Sequence, residues 1–252
     1  MADGVPDHIR ACLFDLDGVL TQTAVVHARA WQQTFDDFLR RRAAGTGGTF
    51  TPFDPVADYD RYVDGRSRAD GTRTFLQARG ITLPEGTPDD PPGTDTIYGL
   101  SNAKNKILLA LLAADGVTAY PGSVQYLDTV KASGLLTAVV SASENCHAVL
   151  AAAGLDGRFD AVVDGTVAKR DKLAGKPAPD SYLAAASALA IRPSAAAVYE
   201  DALAGVEAGR AGQFGWVVGV DRVGQAAELR AAGADVVVTD LAQLLTADRR
   251  ND

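Results

Sequence analysis

The second half of the chain alternates short apolar runs with helical stretches, and this pattern restricts the possible folds more than any other feature. After Tyr120, each apolar run follows a segment whose apolar residues recur at helical spacing. The runs cover residues 135–140, 159–163, 196–199, 216–220 and 235–238. Strands that alternate with helices form a parallel sheet with crossover helices on both of its faces. We therefore predict an α/β fold built on a doubly wound parallel sheet.

The first half of the chain contains one further strand and a region that does not alternate. The apolar run 11–14 has the character of a buried strand, whereas the helical segments after it are separated by irregular, Gly- and Pro-rich stretches. These helical segments are predicted at 25–42, 61–80 and 102–114. The most economical interpretation is a Rossmann-like core with an inserted helical cap domain. We assign residues 1–22 and 118–252 to the core, and residues 23–117 to the cap.

The composition excludes several classes of protein. The chain has 252 residues, 47% hydrophobic and 22% charged, which is ordinary for a globular protein. Its net charge of −8 gives no bulk positive surface for nucleic acid or for an anionic membrane. A small anionic substrate remains compatible with this charge, because a few cations or a metal ion can hold it locally.

The two cysteines and the N-terminal sequence carry little functional signal. Cys12 and Cys146 are too far apart in sequence for a zinc pattern and too few for a disulfide framework, so we expect small buried side chains. No apolar run approaches the roughly 18 residues of a membrane span, and the N-terminus shows no basic region followed by an apolar one. We expect a cytoplasmic protein.

Acidic side chains follow the predicted strands at their carboxyl ends, where open parallel sheets bind their ligands. Asp15 and Asp17 follow the first strand, Ser141 follows the run 135–140, and Glu200 and Asp201 follow the run 196–199. Each of these residues alone would suit a helix cap or a turn. Four converging carboxylates, however, would repel one another at low dielectric. A hard divalent cation with oxygen ligands, Mg²⁺ above all, fits this set.

Lys176 supplies a positive charge for the same edge of the sheet. It lies in a loop before a predicted helix, and the prolines at 177 and 179 restrict the backbone around it. A lone loop lysine would ordinarily be solvated. Beside several carboxylates it would balance their charge and hold a phosphoryl oxygen.

Together, these segments resemble the four motifs of the haloacid dehalogenase superfamily of phosphotransferases. The segment 15–21 (DLDGVLT) resembles the first motif, Ser141 the second, Lys176 the third, and Glu200-Asp201 the fourth. The resemblance implies that Asp15 attacks phosphorus and that Asp17 is the general acid and base. It also implies that Mg²⁺ is held by Asp15, the backbone carbonyl of Asp17 and Asp201, with Glu200 close by. A carboxylate nucleophile divides phosphoryl transfer into two easier steps. Asp17, which the dehalogenases proper lack, implies an oxygen leaving group.

The segment 15–31 further resembles the β-phosphoglucomutase-like branch of this superfamily, including His27 and Trp31. The resemblance implies that His27 steers the general acid and base. On sequence alone, His27 would also suit a helix surface, and Trp31 is better explained by core packing than by stacking on substrate.

The resemblance also implies residues that bind the substrate. In the cap loop that contains Gly65, the resemblance implies that Arg68 binds the distal phosphate of the substrate. The simpler alternative is that Arg68 is a solvated arginine at the end of a helix. It places Lys104 near the active site. It further implies that Ser143 and Asn145 hold the phosphate that is not transferred.

Several positions depart from the mutase pattern and leave the reaction open. Glu144 occupies a position where the mutases commonly carry lysine, Gln22 replaces a small or acidic residue, and the cap is enlarged at 45–55 and 84–95. A sugar phosphomutase that converts β-glucose 1-phosphate to glucose 6-phosphate and a sugar-phosphate phosphatase therefore both remain open. The complete set of motif residues argues against a catalytically idle sensor. We expect a monomer that acts on a small phosphorylated sugar, without nucleic acid or membrane partners.

Overall fold

The computed structural model describes residues 4–247 and divides them into two compact units. One unit combines the segments 4–22 and 117–247, and the other comprises residues 23–116. Residues 1–3 and 248–252, which the sequence also places in the core, lie outside the described part of the chain.

The first unit is built on a parallel sheet of six strands in the order β3-β2-β1-β4-β5-β6. The strands are β1 (Ala11–Phe14), β2 (Leu136–Val140), β3 (Ala161–Val163), β4 (Ala196–Glu200), β5 (Trp216–Val220) and β6 (Val236–Val238). This arrangement confirms the predicted α/β fold. The apolar runs lack strict alternation because both faces of a doubly wound sheet are covered.

Helices cover the two faces of this sheet. They are α4 (Pro121–Ala132), α5 (Cys146–Ala152), α6 (Gly165–Asp171), α7 (Asp180–Ala188), α8 (Leu203–Ala211), α9 (Ala226–Ala232) and α10 (Leu244–Ala247). On one face, Leu13 and Val198 belong to a buried apolar cluster that includes Tyr182 of α7. On the other face, Phe14 stacks on Tyr199 with ring centroids 4.6 Å apart, and Tyr126 of α4 packs against Tyr199.

The register brings three strand ends to the same edge of the sheet. Phe14 pairs with both Val139 of β2 and Tyr199 of β4. The backbone N–H of Asp15 extends the ladder by donating to the carbonyl of Tyr199 at 3.0 Å. The residues that directly follow β1, β2 and β4 therefore lie side by side.

The second unit is helical and has its own apolar core. It contains α1 (Ala24–Thr46), a π-helical turn (Tyr59–Val63), α2 (Arg68–Ala78) and α3 (Ile97–Asp115). Its core includes a run of packed rings in which Phe35 lies 5.0 Å from Trp31 and 4.1 Å from Phe75. The Pro-rich segment 84–93 contains no regular element, as predicted.

Some element boundaries differ from the sequence-based expectations for identifiable reasons. The short helix α6 was not predicted, because it buries no residue and so shows no apolar periodicity; it is instead started by the side chain of Asp164, which accepts from the N–H of Val167 at 2.9 Å. Glu200 is the last residue of β4 rather than the first residue after it. Cys12 and Cys146 are both buried, as expected. Within residues 4–247, no helix combines the length and the apolar character that crossing a bilayer would require.

Candidate active site

The loop after β1 is a tight turn that begins with Asp15. The N–H of Gly18 donates to the carbonyl of Thr21 at 2.8 Å, and Thr21 donates to the carbonyl of Leu16 through its N–H and its hydroxyl. Gly18 has a φ of +95°, and a Cβ atom at this position would lie 1.7 Å from Oδ2 of Asp201. Glycine is therefore required here both by its backbone conformation and by the close approach of the Asp201 carboxylate.

A cluster of three buried carboxylates lies at the edge formed by β1 and β4. Asp15, Glu200 and Asp201 each present an oxygen within 4.8 Å of the others. Their side chains come from the ends of two neighbouring strands, so the parallel register alone brings them together. Like charges at this spacing repel one another strongly where water is excluded.

Lys176 joins this cluster from the loop before α7. Its Nζ atom donates to Oδ1 of Asp15 at 2.6 Å and to Oε1 of Glu200 at 2.5 Å, and the residue is only 4% exposed. The sequence predicted that this lysine would balance the carboxylates, and the structure places it between two of them.

Glu200 is held by neutral groups as well. The hydroxyl of Tyr182 donates to Oε1 at 3.1 Å, and the N–H of Ala202 donates to Oε2 at 2.9 Å. Gly205, on the first turn of α8, would place a Cβ atom 1.7 Å from Oε1 of Glu200. The absence of a side chain at position 205 thus makes room for the Glu200 carboxylate.

Burial and neighbouring charges shift the protonation of this cluster. Burial raises the pKa of Asp15 well above its ordinary value; Lys176 opposes this shift, and Glu200 and Asp17 add to it. Burial also acts to lower the pKa of Lys176, but the carboxylates of Asp15 and Glu200 outweigh it and raise that pKa well above its ordinary value. The lysine therefore remains charged, and Asp15 takes up a proton more readily than an exposed aspartate does.

The donor set fits a hard divalent cation. Three carboxyl groups lie together in a buried site, and the ammonium group of Lys176 contacts two of them, Asp15 and Glu200. Carboxylate and carbonyl oxygens are the ligands that Mg²⁺ prefers. Asp15, Glu200 and Asp201 are the residues whose side chains could hold such an ion.

The loop after β2 carries the predicted phosphate-binding residues. Ser141 continues the ladder by donating its N–H to the carbonyl of Val163 at 3.0 Å. Its hydroxyl accepts from the N–H of Ser143 at 3.1 Å, and the Ser143 hydroxyl accepts from the N–H of Asn145 at 3.1 Å. These two side-chain contacts hold the loop in a compact turn at the same edge of the sheet as Asp15.

Comparison with known proteins identifies the family. The profile of the haloacid dehalogenase-like hydrolases matches residues 9–213. This chain belongs to that family. The matched segment includes the buried carboxylates, Lys176 and Ser141, so the resemblance found in the short motifs extends over most of the chain.

Several relatives narrow the position of the chain within the haloacid dehalogenase-like hydrolases. A Mycobacterium tuberculosis protein named β-phosphoglucomutase is 56% identical over 96% of this chain and 94% of its own length. A crystal structure of β-phosphoglucomutase from Clostridium difficile aligns with a TM-score of 0.71 at 27% identity, covering 94% of this chain and 93% of that one. A Mycobacterium leprae protein named trehalose-phosphate phosphatase is 35% identical over 56% of this chain and 33% of its own length.

The predicted site residues of the cap lie in the second unit of this haloacid dehalogenase-like chain. Lys104 on α3 is 2% exposed, and its Nζ atom lies 3.1 Å from Nδ1 of His27 and 5.1 Å from the ring centre of Trp31. The structure thus brings these three residues together within the unit. Trp31 is 3% exposed and stacks on Phe35, which is the packing role that the sequence favoured.

Gly65 and Arg68 flank the start of α2. Gly65 lies in the turn after the π-helical segment, and Arg68 is the first residue of the helix, next to the capping residue Ser67. The Ser67 hydroxyl accepts from the N–H of Asp70 at 3.2 Å and so fixes the start of the helix.

Sequence reasoning missed some residues that support the site. Tyr182 contacts Glu200, and Arg222 and Gln225 contact the two loops that carry Asp17 and Asp201. Tyr182 follows Lys176 by six positions, on the helix predicted after that loop, and a tyrosine among apolar residues there is a signal that could have identified it. Arg222 and Gln225 lie after β5, a strand end that the search for acidic residues passed over.

Proposed function

We propose that the protein is a β-phosphoglucomutase that converts β-glucose 1-phosphate to glucose 6-phosphate by way of a phosphorylated Asp15. The buried cluster of Asp15, Glu200, Asp201 and Lys176 carries the proposal of phosphoryl transfer, because it places a carboxylate beside a fixed cation. The 56% identity to a protein of that name, over nearly the whole chain, supports the choice of reaction and of a phosphorylated sugar as substrate.

In the first half-reaction, a carboxylate oxygen of Asp15 forms a bond to phosphorus while the bond from phosphorus to the sugar oxygen breaks. Asp17, two residues farther along the turn, donates a proton to the leaving oxygen. In the second half-reaction, a sugar hydroxyl loses its proton to Asp17 and attacks phosphorus, and the Asp15 carboxylate is released. The phosphoryl donor in the first half-reaction is β-glucose 1,6-bisphosphate, which leaves as glucose 6-phosphate. The acceptor in the second is β-glucose 1-phosphate, whose free hydroxyl takes the phosphoryl group and regenerates the bisphosphate.

Lys176 performs two tasks in this scheme. Its contact at 2.6 Å with Asp15 orients the nucleophile, and its fixed positive charge offsets the negative charge on the phosphoryl oxygens in the transition state. Because the ammonium group is buried and held by Glu200 as well, it needs no reorganisation when that charge develops.

We propose Mg²⁺ as the cofactor, held by the carboxylates of Asp15, Glu200 and Asp201 and by the backbone carbonyl of Asp17. When bound, it would neutralise the cluster and polarise the phosphoryl group. The three buried carboxyl groups with oxygens within 4.8 Å of one another support this assignment, because oxygen ligands are the ones that Mg²⁺ prefers.

We propose that the remaining predicted residues bind the sugar phosphate. Ser141 would contact the transferring phosphoryl group, and Ser143 and Asn145 the other phosphate. In the helical cap, Arg68 would bind the distal phosphate. His27 and Lys104 would assist proton transfer and charge balance. Gly65 would shape the loop before α2, and Trp31 would shape the face of α1. We propose a monomer, located in the cytoplasm with its substrate.

A sugar-phosphate phosphatase is the second candidate, and Glu144 favours it. This residue lies between Ser143 and Asn145, where it would repel a second phosphate, and its carboxylate is 4.0 Å from Nζ of Lys169. With a weakened second site, water rather than a sugar hydroxyl would accept the phosphoryl group from Asp15.

Phosphorus NMR separates the two candidates. The protein is incubated with Mg²⁺, β-glucose 1-phosphate and a trace of β-glucose 1,6-bisphosphate, and parallel samples omit the bisphosphate or use Asp15→Asn. Growth of the glucose 6-phosphate signal without inorganic phosphate supports the mutase. Inorganic phosphate as the main product supports the phosphatase, and no turnover of either kind overturns both.

A further inference from the structure

The loop at 221–225 directly follows β5 and contacts the loops that carry the acidic residues. The Arg222 guanidinium donates through Nε to the carbonyl of Gly18 at 2.7 Å and through Nη2 to the carbonyl of Val19 at 3.4 Å. Its remaining nitrogen, Nη1, donates to the carbonyl of Thr239 at 2.8 Å. One side chain thus links the turn after β1 to the segment after β6.

Gln225 reaches the second acidic loop from the same segment. Its Nε2 atom donates to the backbone carbonyl of Asp201 at 3.0 Å. The carboxylate of Asp221 fixes the loop that carries both side chains, since its Oδ1 atom accepts from the N–H groups of Gly224 at 2.7 Å and Gln225 at 2.9 Å. The two acidic loops are therefore both fastened to one short, internally hydrogen-bonded segment.

The orientation of Arg222 is set by an aromatic ring. Its guanidinium carbon lies 3.6 Å from the ring centre of Tyr120, close enough for the planar group to lie against the ring. Tyr120 in turn donates its N–H to the carbonyl of Leu20, at the far end of the same turn. A lysine could keep the charge at position 222, but it could not keep this planar contact and donate to three carbonyls in fixed directions.

We propose that Arg222 and Gln225 are positioning residues that fix the spacing between the Asp17–Gly18 turn and Asp201, and thereby set the affinity of the site for Mg²⁺. The inference rests on the proposed function, in which both loops supply ligands. Hydrogen bonds behind metal ligands commonly change metal affinity by roughly 10- to 100-fold when they are removed. Neither residue touches the metal or the substrate in this assignment.

The charge of Arg222 makes the proposal sharply testable. A cation near a Mg²⁺ site repels the ion, so removing its charge alone would tighten Mg²⁺ binding. Loss of positioning would weaken Mg²⁺ binding instead. The two explanations therefore predict opposite signs for Arg222→Met, and Arg222→Lys, which keeps the charge, isolates the effect of geometry.

The experiment measures Mg²⁺ binding to the full chain by isothermal titration calorimetry, together with the melting temperature in EDTA. The variants are Arg222→Met, Arg222→Lys and Gln225→Ala. Matched controls are Arg170→Met, at a side chain that is 69% exposed, and Gln125→Ala, at an exposed position on α4. Kinetics at saturating Mg²⁺ then test whether the KM for the sugar phosphate is unchanged.

We expect Arg222→Lys and Gln225→Ala to raise the Mg²⁺ Kd about tenfold, with the controls unchanged. Arg222→Met should raise the Kd less than Arg222→Lys does, because the lost charge partly offsets the lost positioning. High Mg²⁺ should restore most of kcat. Equal or tighter Mg²⁺ binding in Arg222→Lys and Gln225→Ala, or a lowered melting temperature with an unchanged Kd, would overturn the inference. Wild-type protein that binds no Mg²⁺ would instead overturn the proposed function, so the two failures are distinguishable.

Discussion

The ammonium nitrogen of Lys176 lies 2.6 Å from Oδ1 of Asp15, a residue 161 positions away in the sequence. The same nitrogen donates to Glu200 at 2.5 Å, so the lysine bridges the ends of β1 and β4. Buried side chains of opposite charge stabilise the fold only while all of them are present, because removing one leaves the charge of its partner uncompensated.

Replacing this lysine by methionine should therefore damage both stability and activity. We expect Lys176→Met to cost about 3–5 kcal/mol of unfolding free energy in EDTA, because Asp15 and Glu200 lose their shared cation. Mg²⁺ should recover part of this loss, while kcat falls at least about 100-fold. Thermal unfolding with and without Mg²⁺ and steady-state kinetics provide the measurements. Lys172→Met, at an exposed position after α6, is the control, and activity of Lys176→Met within tenfold of wild type would contradict the role of Lys176.

In contrast to Lys176→Met, Asp15→Asn should abolish activity without lowering stability. The amide keeps the shape of the side chain but cannot act as the nucleophile, so phosphoryl transfer should fall below detection in the NMR assay. The melting temperature in EDTA should stay equal or rise, because one of three mutually repelling carboxylates has lost its charge. Asp171→Asn, on the surface of the first unit, serves as the control. Surviving turnover in Asp15→Asn would mean that another residue accepts the phosphoryl group.

Two helical glycines provide a matched pair. A Cβ atom at Gly205 would lie 1.7 Å from Oε1 of Glu200, whereas a Cβ atom at Gly45 on α1 would meet nothing within 4 Å. We expect Gly205→Ala to displace Glu200, to loosen Lys176, and to lower kcat and the melting temperature together. Gly45→Ala should stabilise the protein by about 0.5–1 kcal/mol, since alanine loses less backbone entropy in a helix. Thermal unfolding measures the stability of both variants. Equal effects of the two substitutions on the melting temperature would refute the steric explanation.

The sequence was sufficient to predict the sheet and the acidic cluster because both depend on one rule. Polar residues that follow parallel strands meet at one edge, so Asp15, Asp201 and Ser141 could be placed from their positions alone. The supports behind them could not be placed this way. Arg222 and Gln225 donate to backbone carbonyls. Because every residue has a backbone carbonyl, the sequence does not indicate which carbonyls accept these hydrogen bonds. Helix α6 was missed because none of its residues is fully buried and only a partly buried valine, Val167, packs on the apolar core, so no apolar periodicity marks the helix.

Glu144 should control how well a second phosphate is held. We expect Glu144→Lys to lower the KM for β-glucose 1,6-bisphosphate by about 30-fold, because an attraction of roughly 1 kcal/mol in water replaces a repulsion of similar size. The gain should shrink as NaCl is raised, since salt screens charges at this exposure. Glu207→Lys, at an exposed position on α8, makes the same charge change elsewhere. A similar gain in Glu207→Lys would assign the effect to net charge rather than to the loop that contains Ser143 and Asn145.

Asp60, in the π-helical turn, should give the stability of the protein a distinct pH dependence. Burial, with a smaller contribution from Asp54, raises the pKa of Asp60 to about 6. A carboxyl group with a raised pKa in the folded state favours folding while it is protonated, below about pH 4, and this contribution is lost as the pH rises through about 6. Asp60→Asn cannot ionise and keeps the contribution at every pH.

The stability difference between the variant and wild type should therefore be smallest at pH 4.5 and largest at pH 7.5. After allowance for solvent screening of this half-buried side chain, we expect a gain of about 1 kcal/mol, which corresponds to roughly 2–4 °C in melting temperature for a chain of this size. Melting curves at intervals between pH 4.5 and 7.5 measure the difference. Asp156→Asn, at an exposed position, should show a flat difference over the same range. A difference for Asp60→Asn that does not grow between pH 5 and 7 would show that Asp60 ionises as freely in the folded chain as in the unfolded one.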